Sequence, residues 1–173
     1  MGKKTALLIG RYQPFHKGHL EVVKQILNEC DELIIGIGSA QYSHTKENPF
    51  TAGERLEMIR AALDAENVPR DRYMIIPIQD LHNNSIWVHH IKAICPNFDV
   101  IYTRNPLATR LFQEGSIKVK AQPLFDRHIY SGTAIREEMI AGGDWEKFIP
   151  GASAKIIRKI GGIERLNSIV GED

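Results

Sequence analysis

Thr5-Ala-Leu-Leu-Ile9-Gly10-Arg11-Tyr12-Gln13-Pro14-Phe15-His16-Lys17-Gly18-His19 is the stretch from which the rest of this chain can be read. Thr5 to Ile9 is a short apolar run closed by Gly10, the form of a buried strand. From Gly18 to Cys30 the apolar residues Leu20, Val23, Ile26 and Leu27 recur at helical spacing. Arg11, His16, Lys17 and His19 therefore gather where a strand hands over to a helix. At such an N-terminus unpaired backbone N–H groups and the positive end of the helix dipole favour a phosphate. His16 and His19, three residues apart, share one face. Imidazole is suited to hydrogen-bonding a phosphate oxygen near pH 7. Two ordinary surface histidines are the alternative, and their clustering straight after the first strand argues against it.

Working outward, strand and helix alternate. Glu32–Ile37 reads as a second buried strand, Tyr73–Ile78 as a third, Asp99–Tyr102 as a fourth and Ile117–Ala121 as a fifth. Thr51-Ala-Gly-Glu54 has the form of a capping box, opening a helix that carries Leu56, Ile59, Arg60 and Leu63. Ser85–Ile94, with Pro96 just beyond, and Pro106–Gln113 are further helices. After Phe125 the pattern becomes helical over 133–141, 145–148, 152–160 and 163–170. Near-continuous apolar strands separated by helices predict an α/β fold with a doubly wound parallel sheet and a helical C-terminal segment. A single domain is expected over 1–173, with the sheet core in about 1–125 and the helical part in about 131–170. In such sheets ligands bind beyond the carboxyl ends of the strands, which is where the histidine loop falls.

Composition narrows the function classes. The 173 residues are 43% hydrophobic and 25% charged, with net charge +1 from 22 basic and 21 acidic side chains. A general nucleic-acid or membrane-surface binder carries a clear basic excess, so no nucleic acid and no membrane is expected as partner, and any anion site is local. No apolar run approaches the roughly 18 residues of a membrane span. The N-terminus runs directly into a strand without room for a signal peptide. Cys30 and Cys95 make no Cys-x-x-Cys and no zinc spacing and read as buried thiols, so a cytoplasmic protein with no metal-ligating set of its own is expected.

Three further stretches carry chemistry. Gly36-Ile37-Gly38-Ser39 lacks the third glycine of a dinucleotide fingerprint; Gly36 reads as a tight turn, while Gly38 and Ser39 end the second strand beside the first. In Ser131-Gly-Thr133-Ala-Ile-Arg136 either Ser131 or Thr133 caps a helix. Arg136, one turn in, suits bidentate contact with phosphate, unless it is a solvated arginine on a capped helix. Along Asp80-Leu-His-Asn-Asn84-Ser-Ile-Trp87 the indole is either a platform for a flat heterocycle or a core residue. Asp80 and Asn84 offer polar groups to a ring substituent.

Together these stretches resemble the HxGH nucleotidyltransferases and, more narrowly, archaeal-type nicotinamide-nucleotide adenylyltransferases. The likeness spans nearly the whole chain, through Gly10–Leu20, Gly38–Gln41, Asn48–Arg55, Gln79–Ile91, Asn105–Leu107, Tyr130–Arg136 and Gly162–Arg165. It implies a Rossmann-like nucleotidyltransferase fold. It also implies an enzyme joining ATP to nicotinamide mononucleotide, giving NAD and pyrophosphate, with Mg²⁺ arriving on ATP. By that likeness His16, His19, Arg11 and Arg136 are catalytic. ATP contacts fall to Gly10, Arg11, Gln13, Phe15, His16, His19, Asn105, Ser131, Thr133 and Arg136. Mononucleotide contacts fall to Ser39, Lys46, Asp80, Asn84 and Trp87. A homo-oligomer, with a hexamer among the options, goes with the family. Glu47 stands where relatives often carry a basic residue, and Arg104 where a small one is common. Rival readings are transfer to another acceptor, flavin mononucleotide or phosphopantetheine, and a non-catalytic nucleotide sensor on the same fold.

Overall fold

The computed structural model describes residues 2–126 and 129–171. Five parallel strands, β1 (Thr5–Gly10), β2 (Glu32–Ile37), β3 (Tyr73–Pro77), β4 (Val100–Tyr102) and β5 (Lys118–Lys120), lie in the order β3-β2-β1-β4-β5. Among the described residues, seven α-helices accompany them: α1 (Lys17–Glu29), α2 (Ala52–Ala65), α3 (Asn84–Ile94), α4 (Pro106–Glu114), α5 (Gly132–Ile140), α6 (Gly151–Lys159) and α7 (Gly162–Val170). The 145–148 segment is a 3₁₀ turn rather than an α-helix. The chain winds outward from β1 through β2 to β3, then returns to place β4 on the other side of β1. The strand order thus reverses between β1 and β4, where open α/β sheets leave a crevice.

Alternation along the strands sends side chains to two cores. Ala6, Leu8, Leu33, Ile35, Val100 and Tyr102 meet α1, α2 and the C-terminal helices, while Leu7, Ile34 and Ile101 meet α3 and α4. Both faces of the sheet are therefore covered, and β1 reads as a continuous apolar run. Gly36 corrects the expectation of a tight turn. It lies inside β2, and a Cβ there would stand 2.7 Å from Ile78 Cδ1, so glycine leaves room for that side chain. The buried face of α2 is Arg55, Met58, Ile59, Ala62 and Leu63; Arg60, expected on the stripe, faces solvent.

The C-terminal segment packs back on the first half. Arg165 of α7 makes a bidentate ion pair with Glu54, both contacts 2.7 Å, and also reaches the Pro49 carbonyl at 3.1 Å. Glu54 completes the capping box by accepting from Thr51 N, while Thr51 Oγ1 accepts from Glu54 N. The helix start recognised in the sequence is thus itself clamped by α7.

Candidate active site

The sharpest feature is the start of α1. His16 is its N-cap, with extended backbone, and its Nδ1 accepts from His19 N at 3.2 Å. His19 Nδ1 in turn accepts from His16 N at 3.3 Å. This is a reciprocal capping box made of two imidazoles, stacked with ring centroids 3.5 Å apart. Each Nδ1 acts as an acceptor, so the proton of each neutral ring resides on Nε2. Burial lowers the pKa of His16 to about 4. Burial, and next the neighbouring His16, hold His19 well below its ordinary value. Both rings are therefore neutral at pH 7 and present one fixed N–H donor each.

Around them Arg11, Asn105, Ser131, Thr133 and Arg136 line the same cleft of about 660 Å³. The N-termini of α1, α4 and α5 all meet it, so three positive helix ends face one space. Asn105 caps α4 by accepting from Ala108 N at 3.0 Å, and Ser131 caps α5, which settles the choice between Ser131 and Thr133. Arg136 is buried, donating to Gln13 O at 2.7 Å and Thr133 Oγ1 at 3.3 Å. Those two bonds leave its other N–H donors for a ligand. Burial, then the Arg11 charge, lower its pKa, with Glu47 and Glu137 opposing. Gly132 allows this approach: a Cβ there would sit 3.3 Å from Gln13 O and 3.4 Å from Arg136 Nη1.

Three residues expected at ATP are also tied into the fold. Phe15 is 0% exposed and stacks behind His19 at 5.6 Å. It backs the imidazole. Gln13 lines the cleft, but its side-chain amide pairs with the Phe50 backbone, Nε2 donating to O at 2.8 Å and Oε1 accepting from N at 3.0 Å. It braces the loop. Gly10 ends β1 beneath the Tyr12 ring, which would stand 2.8 Å from a Cβ.

The residues expected at the mononucleotide form a looser group. Ser39 donates to the Asp80 carboxylate through Oγ at 2.7 Å and N at 3.2 Å, joining the ends of β2 and β3. Gln41 pairs with the Asp80 backbone. Asn84 begins α3 and is exposed, as is Lys46 in the loop before α2. Trp87 is half-buried, edge-on to Phe112 at 5.3 Å and packed on the α3/α4 core. Arg104, noted in the sequence as a departure from the family, stands at the cleft wall, where its Nε donates to Gln122 O at 2.6 Å; the buried Arg55 was not singled out. The signal for Arg55 was available: it shares the helical face of Met58, Ile59 and Ala62. Among the described residues no group of three or more His, Cys, Asp or Glu could hold a metal ion, and no helix is long and apolar enough to cross a membrane.

A parallel sheet reversing at β1/β4, with paired histidines and arginines at the crevice, defines a nucleotidyltransferase architecture. Comparison with known proteins agrees. Residues 7–138 match the cytidylyltransferase-like family model. The chain is 52% identical over 167 residues to the nicotinamide-nucleotide adenylyltransferase of Thermoplasma acidophilum, covering 96% of this chain and 92% of the relative. It is 51% identical over 173 residues to that of Archaeoglobus fulgidus, covering 97% and 98%. The chain belongs to the cytidylyltransferase-like family and, within it, to the nicotinamide-nucleotide adenylyltransferases. Its fold matches, at a TM-score of 0.82 and 22% identity, a bifunctional NMN adenylyltransferase/ADP ribose pyrophosphatase from Francisella tularensis complexed with AMP and Mn ion, covering 99% of this chain and 53% of that one.

Proposed function

We propose that this protein makes NAD and pyrophosphate from ATP and nicotinamide mononucleotide, with adenylyl transfer in the cleft at the start of α1. The observation that carries the site is the two-histidine capping box facing Arg11 and Arg136. An oxygen of the mononucleotide 5′-phosphate forms a bond to the α-phosphorus of ATP. The bond from that phosphorus to the bridging oxygen breaks, and pyrophosphate leaves in line with the electron pair. The attacking phosphate is already ionised at neutral pH, so no strong base is required. Positioning and charge stabilisation supply the acceleration.

His19 donates its Nε2–H to the α-phosphate oxygens as charge builds, and His16 orients the same group. Arg11 and Arg136 offset the repulsion between the two anionic substrates, with Ser131, Thr133 and Arg136 at the triphosphate tail; Lys17, whose Nζ donates to Lys147 O at 2.7 Å, points away from the cleft lining. Asn105 keeps the α4 terminus aimed at the nucleotide through its cap. Gln13, Phe15 and Gly10 hold the loop behind them. Ser39, Asp80, Asn84, Lys46 and Trp87 receive the mononucleotide. Mg²⁺ enters on the triphosphate as part of the substrate. The reading extends to a cytoplasmic homo-oligomer, which gel filtration with light scattering tests.

The test of activity is pyrophosphate release from ATP and Mg²⁺ with a panel of acceptors. Release with nicotinamide mononucleotide is expected. Release only with flavin mononucleotide or phosphopantetheine would reassign the acceptor, and none with any acceptor would make the site a sensor.

A further inference from the structure

Arg55 is a charged side chain with no exposed surface and, among the described residues, no carboxylate within hydrogen-bond distance. A guanidinium buried this way requires a dense set of acceptors. It has four, all backbone carbonyls: Arg11 O at 2.8 Å, Gly38 O at 2.9 Å, Ser39 O at 3.2 Å and Thr51 O at 3.2 Å. Three of these flank strained backbone. Tyr12, just after Arg11, has φ 52°, and Ser39 has φ 51°. Neither is glycine, and left-handed residues of this kind persist where their surroundings hold them. The Arg11 carbonyl belongs to the peptide entering Tyr12. The Gly38 and Ser39 carbonyls belong to the peptides on either side of Ser39. One planar fork thus grips the turn after β1 and the turn after β2 together. The first turn carries Arg11 and leads to His16; the second aims the Ser39 N–H and hydroxyl at Asp80.

We infer that Arg55 is a positioning residue for adenylyl transfer, which holds the ends of β1 and β2 in their left-handed conformations and so keeps the ATP side and the mononucleotide side of the site in register. This rests on the proposed mononucleotide site at Ser39 and Asp80. Its requirement is geometric. A lysine keeps the charge but offers a single point in place of a fork, so it cannot hold all four carbonyls.

The experiment compares Arg55→Lys and Arg55→Met with the unmodified protein, measuring kcat and both KM values well below the melting temperature of each variant, alongside Asp80→Asn. Arg55→Lys is expected to raise the mononucleotide KM at least tenfold and lower kcat at least tenfold, with Arg55→Met as bad or worse, while the ATP KM changes less than threefold. A side chain that only supports the fold would lower the melting temperature and leave both KM values of the folded enzyme unchanged, which would overturn the inference. If Asp80→Asn raises the mononucleotide KM and Arg55→Lys does not, the inference alone fails. If Asp80→Asn leaves that KM unchanged, the mononucleotide placement fails and the inference with it. Should neither Arg55 variant fold, Ser39→Thr decides. It keeps the hydroxyl and the N–H, but its β-branch disfavours a left-handed φ. A mononucleotide KM raised at least fivefold supports the inference, and an unchanged one overturns it.

Discussion

The two ends of the proposed site are built differently. At the phosphate end His16, His19 and Arg136 are held through backbone groups. Each histidine caps the other, Arg136 is anchored on Gln13 O, and Gln13 is anchored on Phe50. At the acceptor end only the Ser39–Asp80 pair is locked, while Asn84 and Lys46 stand free at the surface and Trp87 lies against Phe112. Chemistry needs donors that are in place before charge develops, because a donor that must reorient gives up part of its benefit. Recognition of the acceptor tolerates groups that gather when the ligand arrives.

That contrast can be broken most directly at His19. Removing one preorganised donor typically costs about 10²–10³-fold in rate. Steady-state kinetics on His19→Ala should show that loss in kcat with little change in the ATP KM. A near-normal kcat would mean the phosphate end is not the reacting end. Next in size is Trp87→Ala, which should raise the mononucleotide KM about tenfold. The same change removes the Phe112 contact and part of the α3/α4 core, costing roughly 2 kcal/mol in denaturant titrations. A stability loss without any KM change would assign the indole to the core alone.

A pH dependence of stability, with no effect at neutral pH, probes the same end of the site. The pKa of folded His16 is about 4, below the ordinary 6.5. The unfolded chain therefore binds a proton that the folded chain refuses. Stability is unaffected above pH 6.5 and falls as the pH drops through 6.5 towards 4, by up to about 3 kcal/mol from this group. His19 acts in the same direction. Thermal melts across that range should show the loss, and His16→Gln should flatten it. Equal slopes in both proteins would mean His16 is not held neutral by the fold.

Local signals in the sequence carried far. The apolar run Thr5–Ile9, the Thr51/Glu54 capping box and the Ser131 cap all depend on residues a few positions apart, and all are present in the structure. The contacts that could not be read depend on partners distant along the chain. Gln13 pairs across 37 positions and Arg136 across 123. Gly36 is explained by the side chains of Ile78, just past β3, and Ile9 on β1, which would crowd a Cβ there. Nothing in the neighbours of Phe15 shows that it lies behind His19. Arg55 shares the helical face of Met58 and Ala62, but the carbonyls of Arg11, Gly38 and Ser39 that receive it lie 16 to 44 positions away.

The paired histidines also set a limit on improvement. Asparagine is a better residue than histidine for starting a helix. His16→Asn would therefore be a natural change to make the protein hardier, and it would strengthen the beginning of α1. It would also remove the ring against which His19 stacks, leaving the backbone N–H of residue 16 as its partner on that side. A His19 ring backed by Phe15 on one side and bare on the other would be held less firmly and would serve turnover poorly. Selection for robustness and selection for speed pull on this one position in opposite directions.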